Sequence, residues 1–312
     1  MKKPLVVLTD PLIASVVDRV LKPRARVRIA PPSRARLLPL LRDADALISL
    51  LSCQIDDELL NAAPRLKVVG NFAVGYDNID LAACHARGVR VVNTPDVLTR
   101  STAELTLALL MAAARRVPEG EHLCRSGRFT KWEPGLLLGQ ELKGRTAVLV
   151  GPGRIGKETA RLFRGVGLKT VFISRRDSQS SIRSKLKRAQ ILSLHLPLND
   201  QTRHWLDHSR LALLPRDAIV LNTTRGPTID EKTLIQALRA RRIFAAGLDV
   251  YEHEPRIPRA LRSLPNTVLL PHLGSATQTA REAMAELAIR GVLGILSGKK
   301  VRNEVKFLRR KA

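Results

Sequence analysis

Arg225 in Asn-Thr-Thr-Arg-Gly, Glu254 in Tyr-Glu-His-Glu-Pro and His272 in Leu-Pro-His-Leu-Gly-Ser-Ala-Thr all lie downstream of a glycine-rich run, Gly151-Pro-Gly-Arg-Ile-Gly156. A guanidinium is a rigid fork that can hold a carboxylate and polarise a neighbouring carbonyl oxygen, which a lysine does less well. Imidazole changes charge near neutral pH without perturbation, so it is the natural proton donor. A carboxylate on the second ring nitrogen fixes the imidazole and favours its protonated form. The glycine run supplies a cradle for a dinucleotide pyrophosphate. Clamp, orienting carboxylate, proton donor and dinucleotide are the parts needed to reduce a 2-keto acid.

The glycine run has the context that gives it meaning. It follows the apolar stretch Thr146-Ala-Val-Leu-Val150 and opens a predicted helix, Lys157 to Phe163. There Gly151 takes the tight turn, Gly153 lets the backbone approach phosphate, and Gly156 lets helix pack on strand. At the end of the next predicted strand, where an acid usually meets the ribose hydroxyls of NAD, the chain reads Ser174-Arg175-Arg176. No carboxylate stands there to repel a 2′-phosphate, and a hydroxyl with two guanidinium forks can bind one, so NADP(H) is expected over NAD(H).

These residues need a scaffold of alternating strands and helices. At 312 residues the chain exceeds what one core usually fills, so two domains are expected. Short apolar runs alternate with helical patterns, the mark of an α/β fold with parallel sheets. Leu5–Leu8, Ala46–Ser49, Leu66–Val69 and Val89–Val92 are predicted strands of a first unit, with helices at Asp57–Ala62 and Asp80–Arg87. A long apolar helix, Ser101–Arg116, follows, with Ser101 or Thr102 as its cap. After Thr146–Val150 come predicted strands at Val171–Ile173, Ile191–Leu194, Ala218–Leu221, Ala246–Asp249 and Val268–Leu270, and a last helix, Gln278–Leu296, that returns to the first unit.

Composition excludes several classes. Cys53, Cys84 and Cys124 lack both the number for a disulfide framework and the spacing for zinc, and no metal site is expected. No stretch approaches a membrane span and no small-residue cleavage site follows the first apolar run, so a cytoplasmic protein is expected. The net charge is +25, with basic clusters at Arg19–Arg42, Arg175–Arg188 and Lys299–Lys311. Such a surface attracts polyanions at low salt. Aromatics are only 3% of the chain and no nucleic-acid motif accompanies the charge, so the basic surface reads as solvated and nucleic acid is not the expected partner. The basic tail after Lys299 is expected to lack fixed structure.

The chain resembles the D-isomer-specific 2-hydroxyacid dehydrogenase family, and within it glyoxylate/hydroxypyruvate reductases. The matching segments are Val74–Asp80, Arg87–Pro95, Val97–Thr99 with Thr102–Leu105, Arg125–Gly127, Trp132–Pro134, Gly151–Gly156, His195–Leu198, Asn222–Gly226, Gly247–Val250 and Pro271–Thr277. The resemblance implies two similar doubly wound parallel-sheet domains, a flavodoxin-like substrate domain (1–95 and 277–312) and a Rossmann cofactor domain (96–276), with the active site in the cleft between them. It implies NAD(P)H-dependent reduction of a small 2-keto acid, glyoxylate and/or hydroxypyruvate, to the D-2-hydroxy acid.

The residue roles follow the matching positions. The Glu-Pro step places Glu254, rather than Glu252, as the partner of His272. Val74 and Gly75 present N–H groups to the substrate carboxylate beside Arg225 and His272. Cofactor contacts fall on Thr102, Gly151, Gly153, Arg154, Ile155, Gly156, Ser174, Arg175, Arg176, Leu196, Pro197, Thr202, Thr223, Thr224, Asp249 and Gly274, with Asp249 near the nicotinamide carboxamide. His195 is a motif histidine beside the cofactor, not the acid. Trp132 either walls the substrate pocket, from a neighbouring subunit, or is an interface residue. A homodimer through the Ser101–Arg116 helix is implied.

The chain departs from the family between Arg176 and Ala189, where it is about ten residues short and holds one predicted helix, Ser181–Arg188, so that an edge strand is expected to be missing. The alternatives to the favoured activity are another D-2-hydroxyacid or phosphite dehydrogenase of the family, and a non-enzymatic dinucleotide-binding regulator on the same fold.

Overall fold

In a computed structural model of the chain, which describes residues 3–307, the backbone divides into two compact units, Met1–Leu98 with Ala276–Ala312, and Thr99–Ser275. Relative to the expected division, 96–98 and Ala276 belong to the discontinuous unit.

The first unit is built on five parallel strands, β1 (Leu5–Leu8), β2 (Arg26–Ile29), β3 (Ala46–Ser49), β4 (Val68–Asn71) and β5 (Arg90–Val92), in the order β2-β1-β3-β4-β5. That is the flavodoxin-like order. β1, β3 and β4 are buried along their whole length, as strands of a sheet covered on both faces must be. The helices are α1 (Ala14–Val16), which runs into a π-type turn at Val17–Leu21, then α2 (Arg34–Leu41), α3 (Asp57–Ala62) and α4 (Leu81–Ala86). Asp56 and Asp80 cap α3 and α4 by accepting the Leu59 and Ala83 N–H groups.

The chain returns to this unit after the second one as α12 (Gln278–Leu296), capped by Thr277. α12 lies directly on β4: a Cβ on Gly70 would sit 2.7 Å from Val292 Cγ2. The segment after Lys299 departs from expectation. Val305 N–H donates to Val91 O and Arg90 pairs with Glu304, so the chain is ordered as far as Phe307; the last five positions of the expected unstructured tail lie outside the described residues.

The second unit opens with α5 (Thr99–Ala114) and α6 (Val117–Arg125). α5 begins two residues earlier than predicted, so Ser101 and Thr102 are buried inside the helix rather than capping it. It also ends earlier, because Arg116 takes the left-handed conformation (φ 54°) and Pro118 then starts a new helix. The sheet comprises β6 (Thr146–Val150), β7 (Lys169–Ile173), β8 (Ile191–Leu194), β9 (Ile219–Asn222), β10 (Ala245–Leu248) and β11 (Thr267–Leu269), all parallel, ordered β11-β10-β9-β8-β6-β7. Between them run α7 (Arg154–Gly165), α8 (Gln179–Leu186), α9 (His208–Leu211), α10 (Glu231–Arg239) and α11 (Arg259–Arg262).

This is the dinucleotide-fold order 3-2-1-4-5-6 without strand 3 and with one further strand, β11, beyond strand 6. β7 is the edge, and no strand flanks it among the described residues. The strand order reverses between β6 and β8, and the crevice outside their carboxyl ends is where such sheets bind ligands. No described helix is long and apolar enough to cross a membrane.

Candidate active site

The glycine run leaves β6 at that reversal point. Gly151 has φ 102°, and a Cβ there would lie 2.3 Å from His195 O, so only glycine fits. A Cβ on Gly156 would lie 2.2 Å from Gly151 O, which is the close helix–strand contact expected of the third glycine. Gly153 differs: a Cβ there would meet nothing within 4 Å. It is the N-cap of α7 and offers no side chain to the first-turn N–H groups, so a helix N-terminus faces open space. Arg154 and Ile155 form that first turn. This is a cradle that a pyrophosphate fits.

The loop after β7 corrects the reading of Ser174. A carboxylate does stand there, three residues on. Asp177 Oδ2 accepts the Ser174 N–H at 2.8 Å and the Ser174 hydroxyl at 3.1 Å, while Oδ1 accepts from Ser181 Oγ at 2.8 Å and from Lys185 Nζ. Ser174 Oγ in turn accepts the Arg176 N–H. The Ser174 hydroxyl proton is therefore spent within the loop. The Lys185 ammonium, followed by the Ser174 N–H and the Ser181 hydroxyl, holds the Asp177 carboxyl far below its ordinary range. Arg175 and Arg176 are exposed, with no carboxylate partner among the described residues, and are the cations this loop presents.

The three catalytic candidates come together at the carboxyl ends of β9, β10 and β11. Asn222, buried at the end of β9, organises the Arg225 turn: its Nδ2 donates to Arg225 O at 2.9 Å, and its Oδ1 accepts from Thr224 N and Thr224 Oγ. Thr228 Oγ donates to Arg225 O at 2.7 Å, and Arg225 Nη1 donates to Thr224 O at 2.8 Å. Glu254 Oε2 lies 2.8 Å from His272 Nδ1, and Glu254 Oε1 accepts the Tyr251 N–H at 3.0 Å. Burial alone would raise the Glu254 carboxyl. The hydrogen bond and charge of His272, the Tyr251 N–H and the charge of Arg225 instead hold it below its ordinary range. With Nδ1 facing Glu254, Nε2 is the His272 nitrogen left to serve a substrate.

Asp249, expected near the nicotinamide carboxamide, is held by the backbone of the His272 loop. It is fully buried, and its two oxygens accept the N–H groups of Leu273 at 2.6 Å and Gly274 at 2.8 Å, while His272 N–H donates to Asp249 O at 2.9 Å. It anchors the His272 loop. Glu252 does not compete for His272 either, because its Oε1 lies 2.6 Å from His204 Nε2. That pair was not found in the sequence.

The other cofactor positions are held by internal contacts. Thr102 Oγ donates to Gly274 O at 3.0 Å, Thr223 Oγ lies 2.9 Å from Thr106 Oγ, and Thr202 Oγ donates to Pro197 O at 2.6 Å. Leu196 lies beside Gly151. His195 is buried 2.9 Å from Ser193 Oγ, and burial drives it down to about 3, so it is neutral and no acid. In the first unit, Val74 O and Gly75 O accept from Asn93 Nδ2 and Asn71 Nδ2, which fixes the loop after β4. A cavity of about 230 Å³ lined by Arg116, Arg241 and Asn266 opens at the amino ends of β10 and β11, away from these residues. Among the described residues no group of ligands could hold a metal.

Comparison with known proteins agrees with this geometry. Residues 107–274 match the family model described as D-isomer specific 2-hydroxyacid dehydrogenase, NAD binding domain. A glyoxylate reductase of Thermococcus litoralis is 43% identical over 281 residues, covering 86% of this chain and 85% of that protein. One from Pyrococcus furiosus is 44% identical over 279 residues, covering 85% and 83%. An NADPH-dependent glyoxylate/hydroxypyruvate reductase of Sinorhizobium meliloti, solved with NADP and malonate, superposes with a TM-score of 0.89 at 30% identity over 100% of both chains. The chain is an oxidoreductase with an NAD(P)-binding domain, and it belongs to the D-isomer-specific 2-hydroxyacid dehydrogenase family.

Proposed function

We propose that the protein reduces a small 2-keto acid, glyoxylate and/or hydroxypyruvate, to the corresponding D-2-hydroxy acid, with NADPH preferred over NADH. The observation that carries this reading is the convergence of Arg225 with the His272–Glu254 pair, 2.8 Å apart, at the strand ends of the dinucleotide fold. A nicotinamide cofactor, when bound, supplies hydride to the keto carbon. Gly151, Gly153 and the first turn of α7, with Arg154 and Ile155, would hold its pyrophosphate. The Arg225 fork holds the substrate carboxylate and polarises the keto oxygen. His272 donates the Nε2 proton to that oxygen, and Glu254 keeps the ring oriented through Nδ1 before and after transfer.

The cofactor preference rests on Arg175 and Arg176, both exposed and without a carboxylate partner among the described residues, and agrees with the NADPH-dependent relative. A homodimer through α5 is part of the same reading. Met111 on α5, and Val117, Phe129, Trp132, Leu136 and Leu138 in the segment after it, are exposed large apolar side chains, with Trp132 75% exposed, and apolar surface of this kind supports an interface.

The test is NADPH oxidation across a series of small 2-keto acids, repeated with NADH. Turnover of glyoxylate or hydroxypyruvate with NADPH is expected. Turnover confined to bulkier keto acids or to phosphite would replace the substrate reading, and none at all would leave a dinucleotide-binding regulator.

A further inference from the structure

The turn that carries Arg225 and the turn that carries Glu254 touch backbone to backbone. A Cβ on Gly226 would lie 1.8 Å from Tyr251 C and 2.4 Å from Glu252 N, so no side chain can separate them. One residue contacts both. His204 N–H donates to Pro227 O at 2.7 Å, and its ring Nε2 lies 2.6 Å from Glu252 Oε1. Leu206 N–H donates to Thr228 O at 3.0 Å, continuing the attachment to the first turn. Glu252 is fixed on its other side by α10: its Oε2 accepts the Glu231 N–H, and its own N–H donates to Glu231 Oε2, both at 3.4 Å. Two residues further on, Glu254 makes the contact with His272.

His204 also has φ 49°, in the left-handed region that non-glycine residues seldom adopt. From there its backbone reaches one turn while its ring reaches the other.

We propose that His204 is a positioning residue for the proton transfer. By tying Glu252 to the Arg225 turn it fixes the Tyr251–Pro255 turn, and so holds Glu254 where it sets the tautomer of His272. This rests on the reading of Glu254 and His272 as the proton-transfer pair.

Two substitutions at His204 separate the bridge from mere packing. Asn tolerates the left-handed backbone but is too short to reach Glu252, whereas Gln carries an N–H donor to about the reach of the ring nitrogen. Two quantities are read: the ring nitrogen shifts of His272, which report which nitrogen carries the proton, and kcat and KM for the keto acid. In His204→Asn the shifts should move toward a mixture of tautomers, and kcat should fall about tenfold with KM changed less than about twofold, within the effect of a small misplacement. His204→Gln should restore both. Glu252→Asp breaks the same contact from the other side and should behave like the Asn variant, which keeps the test decisive if either His204 variant folds poorly. Unchanged shifts in both His204→Asn and Glu252→Asp would overturn the proposal, and so would an equal loss in His204→Asn and His204→Gln. If the wild type turns over no keto acid but the shifts respond as expected, the activity reading fails and the bridge stands.

Discussion

A proton donor works when one ring nitrogen is held and the other is left to act, and His272 meets this with its backbone at φ 57°. For a non-glycine residue that conformation costs about 1 kcal/mol or more. The three hydrogen bonds between Asp249 and residues 272–274 offset it, so a buried carboxylate holds the loop while Glu254 holds the ring. His272→Ala should therefore lower the rate of keto acid reduction about 10²- to 10⁴-fold, the usual share of general acid catalysis, while Kd for NADPH changes little because the glycine cradle is intact. Turnover in this variant equal to wild type across neutral pH would remove His272 from the mechanism. Arg225→Lys keeps the charge but loses the planar fork that bridges carboxylate and keto oxygen. Its kcat/KM should fall at least about tenfold, and survival within a few-fold would show that Arg225 is not the clamp.

At the scale of elements, the proposed NADPH preference turns on the loop between β7 and α8. There Lys185 neutralises Asp177, which would otherwise repel a 2′-phosphate that Arg175 and Arg176 are proposed to bind. Lys185→Met should thus raise Kd for NADPH more than Kd for NADH, by about three- to tenfold, the scale of one partly buried ion pair. Adding Asp177→Asn should bring the ratio back. Equal affinity of the wild type for the two cofactors would sink the NADPH assignment itself. Asp177 and Lys185 are eight residues apart and meet across α8, whose start Ser178 caps by accepting the Ser181 N–H, with Lys185 Nζ also donating to Phe172 O. Contacts of that kind are invisible to motif reading, as is the pairing of His204 with Glu252 across forty-eight residues. What could be read was local: apolar runs buried on both faces, such as Leu5–Leu8 and Ile191–Leu194, and α12 from end to end. β2 escaped because Arg-Val-Arg-Ile is a largely exposed edge strand whose arginines mask the apolar signal, and α2 because Pro39 lies inside it. Arg225, Glu254 and His272 were legible because each sits in a short motif whose geometry is local; how their loops are anchored was not.

At the scale of the whole molecule, the excess of 53 Lys and Arg over 28 Asp and Glu makes every carboxylate valuable. Hydrogen bonds from Arg161 and Arg100 hold Glu158 down to about 2; Arg90 lowers Glu304, and Arg290 with Arg19 lowers Glu286. A carboxylate whose folded pKa is depressed stabilises the fold above its unfolded pKa, and the contribution is lost as pH falls through the folded value. Glu231 and Asp249, which burial raises, run the other way and offset part of the loss. Buried His195, held down to about 3, acts with the depressed carboxylates, because below about 6.5 only the unfolded chain protonates it. Stability should hence be flat above about pH 7, begin to fall near 6.5, fall more steeply from the unfolded carboxylate pKa of about 4.3, and go on falling toward about 2, where Glu158 protonates. Each carboxylate that protonates also adds to a charge already at +25, so self-repulsion grows as the pairs are lost. Raising NaCl shortens the Debye length from about 10 Å at 0.1 M to about 3 Å at 1 M, screening both terms. Because these ion pairs are largely exposed and individually weak, while the repulsion involves the whole excess of cations, added salt should raise Tm at pH 4. Melting curves at pH 4 and pH 7 across that salt range check this. A Tm at pH 4 that fell with salt would mean that the ion pairs, not the repulsion, dominate the acid limb.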